Sequence, residues 1–130
     1  MRFISTAVHG VLDYVMGVIL IALPWIFDFT DRGPAMYVPI VVGSAVIVYS
    51  LFTRYEAGLV GVIPMRIHLW LDGLSGAFLA ASPWLFGFAD EVFWPHLLLG
   101  LAEIAAAACT EPYSTVAGHP RFGGEPPRPL

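Results

Sequence analysis

Two histidine–aspartate pairs stand at the same spacing in otherwise apolar surroundings: His9 with Asp13, and His68 with Asp72. Each is followed four residues on by a glycine, Gly17 or Gly76, so each trio forms one stripe along a helix. Imidazoles and carboxylates in this pattern suit three kinds of chemistry. They can ligate a divalent cation, they can relay protons as coupled titrating groups, or they can pair and tie helix to helix. A haem held between His9 and His68 is a further variant of the first. Glu103, within a later apolar run, is the carboxylate able to join them.

The stripes belong to a repeat. Residues 9–29 laid over 68–88, a shift of 59, superpose His9 on His68, Asp13 on Asp72, Gly17 on Gly76, Pro24 on Pro83 and Trp25 on Trp84. Leu23-Pro24-Trp25-Ile26-Phe27-Asp28-Phe29 thus returns as Ser82-Pro83-Trp84-Leu85-Phe86-Gly87-Phe88. Internal repeats fix architecture before anything else. The second helix of each half matches more weakly, with Gly43 on Gly100 and Thr53 on Thr110 after one extra residue.

Composition places the chain in a bilayer. Of 130 residues, 58% are hydrophobic and only 12% charged, and the mean hydropathy is +0.76. A membrane-spanning helix needs about 20 apolar residues, and runs at Ser5–Leu23, Ala35–Phe52, Arg66–Ser82 and Val92–Thr110 fit. Ser5 or Thr6 can cap the first. Pro24 and Pro83 are expected to end the first and third, because proline disfavours α geometry in the residue before it, and the tryptophans beside them suit an aromatic belt. Pro39 falls where a missing N–H costs little. The expected fold is all-α: a polytopic four-helix transmembrane bundle of two tandem, parallel helix hairpins, about 5–53 and 66–110 within a domain 1–110. The central segment Arg54–Met65 reads as an interfacial linker. Residues 111–130, with five prolines and three glycines, read as a disordered tail.

Arginine placement orients the bundle. Arg2, Arg54, Arg66, Arg121 and Arg128 lie at the ends and in the central loop, against Arg32 alone in the other loops, which puts both termini in the cytoplasm of an inner membrane. The net charge of −4 argues against nucleic acid as a partner. Cys109 is the only cysteine, so no internal disulfide or dithiol redox pair exists; it reads as a packing residue or a palmitoylation acceptor. His96 reads as an interfacial group satisfied by water or headgroups.

Depth along the helices gathers the chemistry. At 1.5 Å per residue Asp13, Asp72 and Glu103 lie roughly 12, 9 and 10 Å from the cytoplasmic ends of their helices. A carboxylate deep in the bilayer is penalised by about 3 kcal/mol, so it faces the bundle interior and finds partners. His9, Asp13, His68, Asp72 and Glu103 are therefore expected to share one buried site.

The block Ser82-Pro83-Trp84, closing an apolar helix and followed by Leu85-Phe86-Gly87-Phe88, resembles the signature of the SPW repeat family of bacterial and archaeal membrane proteins; the first copy has Leu23 in place of serine. The resemblance implies a four-helix integral membrane protein and brings no activity, catalytic residue, cofactor or metal. The resulting expectation is a non-enzymatic structural or accessory component in contact with lipid, self-associating or docked on a larger membrane complex. The rivals are a small proton- or ion-coupled transporter using the buried cluster, and a haem oxidoreductase.

Overall fold

The computed structural model describes residues 2–114, so nearly all of the expected tail lies outside the described residues. Four helices run in order: α1 (Thr6–Ile26), α2 (Pro34–Leu51), α3 (Met65–Leu85) and α4 (Trp94–Cys109). No strand occurs among the described residues, only two isolated bridges. Ser5 caps α1, its hydroxyl accepting from Val8 N–H at 3.3 Å. Pro34 and Pro95 stand in the first turns of α2 and α4, where an N–H would be unpaired anyway.

Pro24 and Pro83 do not end their helices. Both lie inside, and Trp25 and Trp84 continue the last turn. A proline there removes a single ladder bond in a stretch that is about to end, so the helix carries on. The stop comes four residues later. Asp28 and Gly87 adopt left-handed backbone (φ 54° and 73°), and Phe29 N–H and Phe88 N–H fold back onto Pro24 O and Pro83 O at 2.9 and 2.8 Å. This is a Schellman-type end, with the following phenylalanine driven inward. Phe29 and Phe88 are accordingly buried.

α1 packs on α2 and α3 on α4, while α2 against α3 joins the two hairpins and α1 barely meets α4. Glycines set both tight crossings. A Cβ on Gly43 would lie 2.6 Å from Gly17 O, and one on Gly76 2.7 Å from Gly100 O. Without a hydrophobic drive between helices, such backbone contact is how membrane helices associate. Toward the loops that follow α1 and α3 the interior is apolar, with Leu20, Leu23, Val38, Val42 and Leu79 around the two phenylalanines.

The opposite end is stitched. Phe3 N–H and Ile4 N–H both donate to Cys109 O at the end of α4, at 2.9 and 3.0 Å, and Val62 N–H and Ile63 N–H donate to Phe52 O just past α2, both at 2.8 Å. Glu111 N–H returns to Ile4 O and Arg54 N–H to Ile63 O. The carbonyls that a helix end leaves unpaired are thereby satisfied by the segment entering the other hairpin.

α1 and α2 are long and apolar enough to cross a membrane. α3 has the length but carries Arg66, His68 and Asp72, and α4 is a shorter apolar helix.

Gly43→Ala and Gly76→Ala should each lower stability by about 1–3 kcal/mol through overpacking. A Cβ at Gly73 meets nothing within 4 Å, so Gly73→Ala should be neutral or stabilising by up to about 1 kcal/mol. Thermal unfolding in detergent separates the three.

Candidate functional site

Two threonines fix the histidines. Thr53 and Thr110 stand just past the ends of α2 and α4, and each hydroxyl donates to the carbonyl four residues back: Tyr49 O at 2.7 Å and Ala106 O at 2.6 Å. With its one proton used, the hydroxyl can only accept from the ring beside it. His68 Nδ1 lies 2.8 Å from Thr53 Oγ1 and His9 Nδ1 2.8 Å from Thr110 Oγ1, so both rings carry hydrogen on Nδ1. Each ring is held by the second helix of the other hairpin, and each Nε2 points inward.

The inward nitrogens meet both carboxylates. His9 Nε2 is 2.9 Å from Asp72 Oδ2 and 3.2 Å from Asp13 Oδ1, while His68 Nε2 is 3.0 Å from Asp13 Oδ2 and 3.2 Å from Asp72 Oδ2. Ligand-capable atoms of the four residues all lie within 4.8 Å of one another, and all four residues are buried. The contact from His9 to Asp72 has hydrogen-bond geometry. His68 Nε2, in contrast, is fully buried with no hydrogen-bond partner.

Neighbours orient the carboxylates. Asp13 Oδ2 accepts from Tyr55 Oη at 2.9 Å and Ser50 Oγ at 3.3 Å, and Asp72 Oδ1 accepts from Tyr49 Oη at 2.6 Å. Tyr55 reaches inward from the segment after α2, so that linker is more than interfacial: it completes the core. Burial first, and the Asp13 charge second, raise the Tyr55 pKa and keep the phenol a donor. Its ring and that of Tyr49 pack on His68, with centroids 5.3 and 5.2 Å away.

Glu103 stands at the margin. Its Oε2 is 3.4 Å from Ser75 Oγ, which also lies near Tyr49 Oη, and its Oε1 has no partner. It touches neither histidine through a hydrogen bond or ion pair. A groove of about 340 Å³ opens between α1 and α4, lined by His9, Asp13, Asp72 and Glu103 with Leu12 and Ile19. The His9 and His68 rings meet edge to face with centroids 5.4 Å apart and both carboxylates between their nitrogens, which leaves no slot for a haem macrocycle.

His96 is a correction. It is fully buried rather than interfacial, its Nε2–H donating to Ala35 O at 2.9 Å, with its ring against Phe29 and Phe88. The inward-driven phenylalanines roof the first turn of α4 and exclude water from it. In the signature itself, Ser82 donates to Leu79 O within its own helix, Pro24 and Pro83 are buried, and Trp25 and Trp84 face outward.

Sequence reasoning assigned no role to Tyr49, Ser50, Thr53, Tyr55, Ser75 or Thr110. The match of Thr53 to Thr110 was the available signal. Tyr49→Phe and Tyr55→Phe each remove a phenol from a buried carboxylate and should cost about 1.5–3 kcal/mol. Equilibrium unfolding of the two variants reads this directly, and a loss under 0.5 kcal/mol would show that these contacts carry little.

A family model described as the SPW repeat domain matches residues 7–110. No curated protein and no solved structure matches the chain.

Proposed function

The chain belongs to the SPW repeat family, and on that premise we propose that it is a multi-pass membrane protein without catalytic activity, a structural or accessory component whose buried quartet ties one helix hairpin to the other. One observation carries this reading. Across the four helices the ionisable side chains His9, Asp13, His68, Asp72, His96 and Glu103 are buried, whereas Val11, Val18, Ile67, Leu74 and Leu98 are exposed. Arg66, in the first turn of α3, is the one exposed charged residue within them. That partition is stable in lipid and unfavourable in water.

Matching contacts at both ends of the bundle support a tandem, parallel duplication. α4 is 16 residues long, about 24 Å, and a bilayer thinned locally around it accommodates the difference. Both termini then lie in the cytoplasm, on the side of Arg2, Arg54 and Arg66, with the opposite loops joined by the ion pair Arg32–Glu91 at 3.2 Å. The outward apolar faces leave room for self-association or a larger membrane complex. The groove between α1 and α4 favours a second reading, in which protons or ions reach the quartet.

The tie predicts that Asp13→Asn combined with Asp72→Asn lowers stability by roughly 3 kcal/mol, because each substitution strips partners from a buried histidine. Unfolding in detergent measures it, and unchanged stability would remove the tie. Proteoliposome flux assays separate the second reading, which requires movement in the wild type that the folded variant loses. A reporter fused after Leu130 should prove cytoplasmic; periplasmic activity would reverse the orientation.

A further inference from the structure

We propose that His9, Asp13, His68 and Asp72 form a four-coordinate site for a divalent transition-metal ion, with Zn²⁺ the best fit. The inference deepens the reading of the same quartet as a tie, since an ion at its centre would fasten α1 to α3 directly.

The orphaned nitrogen is the first ground. With hydrogen on Nδ1 held by Thr53, His68 turns Nε2 inward, 3.0 and 3.2 Å from one oxygen of each aspartate. A protonated ring pairs with both carboxylates there, whereas a neutral ring would set its lone pair against them, and a buried polar atom without a hydrogen bond is costly. No hydrogen-bond geometry relieves it. A cation between the three atoms turns the repulsion into coordination.

Size and charge agree. Bonds of 2.0–2.1 Å in a tetrahedral zinc site separate the ligand atoms by about 3.3 Å. Here each Nε2 lies 2.9–3.2 Å from an oxygen of both aspartates, Asp13 turning Oδ1 to His9 and Oδ2 to His68. One ligand atom from each of the four residues falls within 4.8 Å of the others, so loading draws the set together. Two aspartates balance a doubly charged ion, so the assembly is neutral in a medium that penalises charge. Two imidazoles and two carboxylates, with no thiolate, suit Zn²⁺ rather than copper(I) or an iron–sulfur cluster.

The surroundings are those of a metal site. A ligating histidine normally donates its other ring N–H to a fixed acceptor, and a ligating carboxylate is itself hydrogen-bonded. Thr53 and Thr110 supply the first, and Tyr49, Ser50 and Tyr55 the second. There is also a way in. Where α2 places Tyr49 against the quartet, the matching position of α4 is Ala106, and the missing phenol leaves the groove through which His9, Asp13 and Asp72 can be reached, with the unpartnered Glu103 Oε1 beside the path.

The test uses the full chain purified in detergent, stripped with a chelator and reloaded with zinc chloride. We expect one equivalent of zinc retained per chain after desalting, and zinc-edge X-ray absorption showing two imidazole ligands. His68→Gln and Asp72→Asn should cut retention at least tenfold, Thr53→Val or Thr110→Val should weaken binding 10–100-fold as positioning residues, and Glu103→Gln should keep full retention. A wild type that holds no zinc overturns the proposal, as does a zinc with fewer than two imidazoles, and neither result depends on a variant folding. Retention unchanged in both His68→Gln and Asp72→Asn overturns it equally. Failure here leaves the tie standing, because that reading is measured by the stability of metal-free protein.

Discussion

Two aspartates must be kept inside a helical bundle whose outside is hydrocarbon-like, and most of the remaining structure answers that demand. A carboxylate in such a place needs several donors at short range. Asp13 and Asp72 obtain them only if α1 and α3 face each other and the ends of α2 and α4 close over them. Glycine at the two helix crossings lets each hairpin close tightly: Gly17 meets Gly43 and Gly76 meets Gly100, which brings α2 onto α1 and α4 onto α3. The rest of the interior is ordinary apolar packing around Phe29, Phe88 and His96.

The hydroxyl groups have a part that their size hides. A threonine at a helix end usually satisfies a backbone carbonyl and nothing more. Here that same bond uses the only hydroxyl proton, which decides the tautomer of the adjacent imidazole and thereby the direction of its other nitrogen. Thr53 and Thr110 thus transmit information from the helix termini to the centre of the site. Each couples the end of one hairpin to the ring of the other, so a change in hairpin packing is felt at the quartet.

Four helices, their order and the polar residues worth watching were legible in the sequence because spacing and cost alone specify them. The 3.6-residue period puts His9 over Asp13, and the expense of a membrane carboxylate turns both inward. What was not legible depended on details outside the period. Pro24 and Pro83 read as stops, whereas the left-handed residues Asp28 and Gly87 are the stops, and an aspartate in that conformation gives little warning. His96 read as wet because proline precedes it, but the inward turn of two phenylalanines after those stops buries it. Tyr55 lay in a segment that looked like a linker, and only its fold back over α1 reveals the phenol as a carboxylate donor.

The exchanged threonine bonds bear on how such a protein could be assembled from parts. A single hairpin of this kind contributes one histidine, one aspartate and one threonine to the site, yet the threonine faces away from its own histidine's partner set and toward the neighbour's. Alone, it would keep the contact between its own histidine and aspartate at 3.2 Å but make neither the threonine bond nor the shorter carboxylate contact to the other hairpin's imidazole. Two identical copies related by a twofold axis would complete all of them, since what the first lacks the second supplies in reverse. Under the proposed duplication a self-complementary homodimer would be a sufficient ancestor for the single chain, and the segment between α2 and α3 would be the covalent join.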